Sequence, residues 1–394
     1  MYRCDIPPAC HVLHARVRRR TQCLVKPPST ALNGLDNRGE IVATLKDAYT
    51  NSGRSEPGVR GEKLIEYRVA DRAELLAADW VPLLPGEERI AVELPRSPAF
   101  VSLSELVGED GIIQGIRFEG SSDTVNVKNT IVSRKRDVGS RLNWLITGED
   151  SEFVLAQSQT TGAEVRIPIA AVEPAMRTPA GQTKMLISPP PDYAVRSRFP
   201  GDESFWDDPA PDEILLRRLD HLRSREGRVL LAGRNHVNFL SEGTHHLAFT
   251  AGGPIVPTWS FWSLKIEDQD VANALCLWLN SSFAFTHLFD KRIIGTGVYV
   301  GWLKSDLIDL LVPDLRNLAP AQRTQLRALF EKLAATDWEP LLAQYKLPSE
   351  RRVELDTTLA KILGLKKWES RESLSPVYTA IVSKLETLRD VESG

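Results

Sequence analysis

The stretch from Leu231 to Pro313 follows strand-like, helical and turn signals with so little filler that it confines the chain to a mixed architecture. It opens LAGRNHVNFLSEGTHHLAFTAGGPIVPTWSFWSLKI, where apolar runs alternate with Gly and Pro breaks. The apolar segment VANALCLWLNSSFAFTHLF follows, and Ala272, Leu275, Cys276, Leu279 and Phe283 recur in it at helical spacing. One buried helix is expected over 272–289, with Cys276 as a small core hydrophobe. The stretch closes GTGVYVGWLKSDLIDLLVP, read as a tight loop at Gly295 and Gly297 and then, over Trp302 to Pro313, a short turn and a strand. Two glycines are weak grounds for a phosphate-cradling loop.

The remainder surrounds this unit with simpler patterns. Residues 1–61 form an irregular leader, broken by Pro7, Pro8, Pro27 and Pro28 and rich in Gly, Asn, Ser and Arg from Asn33 onward. Cys4, Cys10, His11, His14 and Cys23 fall in it, but Cys-x5-Cys-His-x2-His matches no usual structural zinc spacing, and no metal site is expected. Arg16 to Arg20 supplies a basic cluster suited either to phosphate or to plain solvation. Residues 62–210 read as β-rich. KLIEYRV, IIQGIRF, TVNVKNTIVS, RLNWLITG, EFVLAQ and AEVRIPI are short β-branched runs between turn residues, and SLSELVGE carries a capping-box signature. Lys128, Arg134, Lys135, Arg136 and Arg141 give this sheet a local positive excess, which fits a phosphate-facing surface or a charge-protected edge equally well.

SPPPDY at Ser188 to Tyr193 is a Pro-rich turn. It differs from the polar-Pro-Pro-aromatic loop that amino-methyltransferases aim at a flipped base, because Asp192 stands before Tyr193. Residues 211–318 form the central unit, entered through a helix in Asp212 to Arg228. Residues 319–394 are a helical arm with three patterns, Pro320 to Ala335, Ser349 to Leu363 and Pro376 to Val391. Its mixed charge favours contact with another protein element over contact with nucleic acid. The expected fold class is α+β: a small mixed or antiparallel sheet, then a mixed α/β recognition unit, then a helical C-terminal arm.

A chain of 394 residues with 42% hydrophobic and 26% charged residues is ordinary globular material, and a net charge of −3 excludes a wholly basic coat. Four unevenly placed cysteines do not make a secreted disulfide framework. The longest apolar run is interrupted by Asn273, Asn280, Ser281, Ser282 and Thr286. A cytoplasmic setting without a membrane span is therefore expected.

The order AGRNHVNFLSEGT, PIVPTWSFWSL, ALCLWLNSSFAFTHLF and GTGVYVGWLKSDLIDLLVPDLRNLAPAQ resembles the target-recognition part of adenine-specific N6 DNA methyltransferases of restriction-modification and phage-defence systems. ERRVELDTTLAKILGL resembles their helical ending, and HARVRRRTQCLV is similar to the strand that closes their catalytic domain. The resemblance runs from about Glu62 to Leu365 and is strongest after Leu230.

It implies a double-stranded DNA partner, and the residues carry suitable chemistry. Asn235, His236 and Asn238 offer donors and acceptors for base edges, and Arg234 offers a bidentate fork. Trp259, Trp262, Tyr299 and Trp302 have faces for stacking on bases, although core packing and bracing of loops account for at least half of such aromatics. Lys291, Arg292 and Lys304 are candidates for positioning phosphates. The adjacent pair His245 and His246 reads as a turn or surface feature rather than a metal site.

The family also needs a domain for S-adenosylmethionine, with a Gly-rich loop after a strand. The sequence holds no Phe-x-Gly-x-Gly and no acidic pair followed by Glu-x-Lys on consecutive strands for a nuclease magnesium site. The expectation is a target-reading chain that binds no cofactor and is inactive by itself, directing a catalytic domain or chain that binds S-adenosylmethionine. The alternatives are a subunit completing a split active site and a non-functional remnant.

Overall fold

The computed structural model describes residues 21–26, 58–62, 65–71, 99–116, 131–134, 144–205, 220–236, 243–290, 293–294 and 299–393. The chain divides into two compact units, Val92–Glu392 and, separately, Met1–Ala91 with the last two residues. In the smaller unit β1 (Thr21–Lys26), β2 (Gly58–Glu62) and β3 (Ile65–Asp71) form an antiparallel sheet in the order β1-β3-β2. That sheet spans the expected boundary at 61, so the leader and KLIEYRV belong together.

The larger unit is built on a ten-stranded mixed sheet. Its strands are β5 (Ile112–Gln114), β6 (Ile131–Ser133), β7 (Trp144–Glu149), β8 (Phe153–Ser158), β9 (Glu164–Pro168), β10 (Val172–Met176), β11 (Asp192–Val195), β12 (Gly227–Ala232), β14 (Ala248–Pro257) and β15 (Phe261–Leu264). Their order is β5-β15-β12-β14-β10-β11-β6-β7-β8-β9. β10 pairs parallel to β14 and β6 parallel to β7, while the other pairs are antiparallel. Because β10 and β14 are neighbours, this sheet draws strands from both sides of 210.

In β8 and β9 every second residue is buried, placing Val154, Ala156, Val165 and Ile167 in one core with Trp144, Phe199 and Phe205. Trp144 stacks on Phe205 with ring centroids 5.0 Å apart. A second core gathers Met176, Ile187, Leu230, Ala232, Phe249, Ile255 and Phe261.

Away from the sheet, β4 (Phe100–Ser102) leads into α1 (Leu103–Val107), where Ser102 and Glu105 form the expected capping box. In place of one helix over 272–289 there are two, α2 (Gln269–Leu279) and α3 (Ser282–Asp290). Asn280 separates them. Its side chain accepts from Leu247 N at 2.8 Å and Ala248 N at 3.1 Å, and donates to Ala248 O at 2.8 Å and Cys276 O at 3.0 Å. Ser281 Oγ then accepts from Ala284 N at 3.3 Å to start α3.

Of the short turn and strand expected over Trp302–Pro313, the turn is a helix, α4 (Lys304–Ile308), and the strand is the short β18 (Leu311–Pro313), which pairs with β4. Asp306 accepts from Leu303 N at 2.8 Å and so holds the first turn of α4. Four helices follow: α5 (Pro320–Leu333), α6 (Leu341–Lys346), α7 (Glu350–Ile362) and α8 (Arg371–Ser393). The sequence pattern missed α6, whose six residues are too short for periodicity to register.

These helices are fastened to the core and do not form a separate arm. Arg352 is fully buried and donates to Asn280 O at 2.6 Å and to Gln344 Oε1. Its guanidinium lies over the rings of Tyr345 and Trp338, 4.8 and 5.3 Å from their centroids. Asp356, one turn on and also fully buried, accepts from Ser282 N at 2.9 Å, Ser282 Oγ and Tyr378 OH at 3.0 Å.

Nearby, His246 is buried, with Nε2 3.1 Å from Thr183 O, and burial pulls its pKa down to about 3. It thus stays neutral in the fold while the unfolded chain takes up a proton below about pH 6.5. Burial likewise raises the Cys276 thiol, which makes it an inert core group as expected.

Two predictions follow from this packing. Asp356→Ala leaves Arg352 buried without its carboxylate and should cost about 3–5 kcal/mol in denaturant unfolding. Lys332→Ala, which removes an exposed pair with Glu354, should cost under about 1 kcal/mol, and equal losses would count against the buried network. Because the folded pKa of His246 is depressed, its contribution is complete above about pH 6.5 and is lost as pH falls toward 3. From pH 6.5 to 5 the loss should be about 2 kcal/mol, and His246→Gln should remove that part of the pH dependence. An unchanged slope in the variant would refute the assignment.

Candidate nucleic-acid interface

A hairpin turn and a small sheet hold five of the residues assigned to DNA by the sequence, Trp259, Arg234, Asn235, His236 and Tyr299. β14 and β15 are joined by Thr258, Trp259 and Ser260, and two segments clamp this turn. On one side Ile116 N donates to Pro257 O at 2.9 Å and Trp259 N to Ile116 O at 2.7 Å. On the other Gly233 N donates to Ser260 O at 2.8 Å.

Both flanking glycines are required by close approach. A Cβ at Gly115 would lie 2.1 Å from Thr258 O, and one at Gly233 would lie 2.6 Å from Trp262 Cδ1. Sequence reasoning passed over these two positions. Their signal was a Gly within or directly after a strand run, a common mark of close backbone contact.

Gly233 leads directly into β13 (Arg234–His236). β13 pairs antiparallel with β17 (Tyr299–Gly301), placing Arg234 opposite Gly301, Asn235 opposite Val300 and His236 opposite Tyr299. β16 (Ile293–Ile294) pairs on the other side of β17. Four candidates, Arg234, Asn235, His236 and Tyr299, therefore sit in one three-stranded sheet, although more than sixty positions separate β13 from β17. Asn238, Lys291 and Arg292 lie outside the described residues, as do Lys128, Lys135, Arg136, Arg141, Cys4, Cys10, His11 and His14, while Cys23 falls in β1.

The aromatic candidates divide by burial. Trp259 is partly exposed, at 37%, on the clamped turn. Trp262 and Trp302 are buried, and their N–H groups donate in series, from Trp262 to Trp302 O at 3.2 Å and from Trp302 to Leu288 O at 2.5 Å. Trp302 N also approaches Gly233 O at 3.4 Å. Trp302 is thus corrected from a candidate contact to a brace: its ring is covered and its polar edge is committed to α3. Lys304 is half-buried and opens α4.

Other candidates resolve into structural roles. Arg134 pairs with Glu149 and donates to Pro190 O at 2.8 Å, and Tyr193 OH donates to Glu149 at 2.7 Å. Asp192 is buried in β11 and accepts from Arg177 N at 2.8 Å. Asp192 and Tyr193 open β11, so only Ser188 and the prolines of SPPPDY form the connection into the strand. His245 Nδ1 lies 2.6 Å from Trp338 O and His246 Nε2 3.1 Å from Thr183 O, so this loop pair ties neighbouring segments together rather than facing solvent.

An open cleft between α1, the start of β12 and the start of α2 carries Asp110, Glu226, Glu267 and Asp268 against Arg228, Lys265 and Arg316. Burial, reinforced by Glu173, raises the Glu226 carboxyl above its ordinary range. Four acids beside three bases do not make a phosphate-tracking surface. Among the described residues no group of three His, Cys, Asp or Glu side chains could hold a metal, and no helix is long and apolar enough to cross a membrane.

No family model matches this chain, and no curated protein matches it. Among solved structures it is similar to the type IIG restriction endonuclease BpuSI, with a TM-score of 0.42 and 14% identity over 95% of this chain and 40% of that one. The chain thus spans about two fifths of that enzyme's length, and its function has to be argued from its own residues.

The clamp itself is testable. Gly115→Ala meets a backbone carbonyl and should destabilise by about 1–3 kcal/mol in thermal unfolding. Gly233→Ala should cost less, since a ring can shift more easily than a backbone. Gly252→Ala, which meets nothing within 4 Å, is the control, and equal stability of all three variants would remove the clamp from the argument.

Proposed function

We propose that this chain is the DNA target-reading portion of a site-specific adenine-N6 DNA methyltransferase of a restriction-modification or phage-defence system. In this reading it binds double-stranded DNA in the cytoplasm and holds no cofactor. Methyl transfer from S-adenosylmethionine is performed by a catalytic domain or chain outside this sequence.

The observation that carries the proposal is the assembly of Arg234, Asn235, His236 and Tyr299 into one small sheet, tied through Gly233 to the turn that exposes Trp259. A fork donor, an amide, an imidazole and aromatic rings on a rigid frame are the groups that read base edges and stack on bases. The buried pair Trp262 and Trp302 braces the backbone beside that sheet, and a rigid frame lowers the ordering cost of contact. Lys304, at the start of α4, follows β17 closely in the chain and adds a positive charge for phosphate.

Fluorescence anisotropy with duplexes of varied sequence tests the reading. Affinity should fall steeply from about 50 to 200 mM salt, because each phosphate contact contributes a slope of roughly 0.9 in log K against log salt. Arg234→Ala should cost about 1–3 kcal/mol on the preferred sequence and relax the preference. Lys304→Ala should weaken all sequences alike. Salt-independent binding, or methyl transfer to DNA by the purified chain without another protein, would overturn the proposal.

A further inference from the structure

The tertiary packing collects a second group of cations on the C-terminal helices. Lys361 lies in the last turn of α7, and Lys366 and Lys367 lie in the 3-10 turn Lys366–Trp368 that follows Gly364. Gly364 has φ +70°, a left-handed turn that reverses the chain within a few residues. Leu365 N donates to Ala360 O at 2.8 Å, folding the three lysines back over the helix end. The first turn of α5 is fastened at the same place, since Gln322 Nε2 donates to Ile362 O at 2.6 Å. That contact brings Arg323 to this end of the helices. Arg323 is held by carbonyl groups, donating from Nε to Leu318 O at 3.2 Å and from Nη2 to Arg316 O.

Lys361, Lys366, Lys367 and Arg323 are all exposed. Arg327 is neutralised by Asp270, Lys332 by Glu354, Lys346 by Glu386 and Arg371 by Glu350, while exposed Arg351 donates to the carbonyl of Asp337. Among the described residues no carboxylate pairs with the four. Lys367 Nζ sits 4.6 Å above the ring of buried Trp368, which fixes one charge in place, and Glu369 beside it is half-buried. In a chain of net charge −3 this is a local concentration of positive charge.

We propose that this patch is a second DNA-contacting surface that grips phosphates without reading sequence. The inference rests on the reading of the chain as a DNA-binding module and extends it, since contact between this arm and DNA was not expected from charge composition. An acidic protein partner is the less suitable occupant. The exposed large apolar side chains among the described residues are Trp259, Leu303 and Leu347, and none lies in the patch, whereas protein interfaces centre on such anchors. A phosphate backbone needs cations and no apolar anchor.

The test compares the full chain with the variant K361A/K366A/K367A in duplex binding at several salt concentrations. The lysines are exposed, so thermal unfolding should not change. The salt slope should fall by about 2–3, each phosphate contact contributing roughly 0.9, and affinity at low salt should drop by ~tenfold or more on target and non-target duplexes alike. The Lys→Arg triple variant should restore binding. An unchanged slope in the alanine variant, with the unaltered chain still binding DNA, overturns this inference alone. Absence of DNA binding by the unaltered chain overturns the functional reading and this inference together. Unchanged duplex affinity with lost binding to polyglutamate would assign the patch to an acidic protein and also overturn it.

Discussion

The buried contact between Arg352, Asn280 and Asp356 holds the molecule's helical and sheet layers in one arrangement. Asn280 ends α2, anchors the entry to β14 through its side chain and offers its carbonyl to Arg352 from α7. Asp356 closes the circuit by receiving the start of α3 and Tyr378 of α8. Charges taken fully out of water are costly unless paired and hydrogen-bonded; Nε of Arg352 has no partner among the described residues, but its other nitrogens and the Asp356 carboxylate do, so the network tolerates few alternative packings. Gln344 and the rings of Tyr345 and Trp338 surround the guanidinium, and through them α6 joins the same core.

This rigidity reaches the candidate interface. β14 begins where Asn280 holds it and ends in the turn that carries Trp259. β12 runs beside β14 and passes through Gly233 into β13. The paired indoles of Trp262 and Trp302 link that point to α3, which Asp356 also caps. The polar core thus braces the backbone of the small sheet on which the proposed reading rests.

Local features were legible in the sequence because their causes are local. Ser102 and Glu105 signal a capped helix three residues apart, Val154, Ala156, Val165 and Ile167 signal half-buried strands, and Ser349 marks the start of α7. Cys276 reads as core from its helical phase alone. The break between α2 and α3 was present as Asn280-Ser281-Ser282, yet its meaning depended on partners in β14 and α7. Likewise Glu354, Glu386 and Glu350 are taken up in pairs with Lys332, Lys346 and Arg371 that no linear count shows, while Lys361, Lys366 and Lys367 stay exposed at that end.

By itself the sequence determined an α+β chain with a β-rich first half, helices at the end, and a central unit rich in groups that suit base contact. Only the tertiary structure decided that one sheet draws strands from both sides of 210, that β4 meets β18 and that β13 meets β17. It also decided that Trp302 braces the interface while Trp259 stands at its surface. Alternation and periodicity specify which face of an element is apolar. They do not specify its neighbour, because strand pairing and buried hydrogen bonds join residues whose separation along the chain carries no local signal.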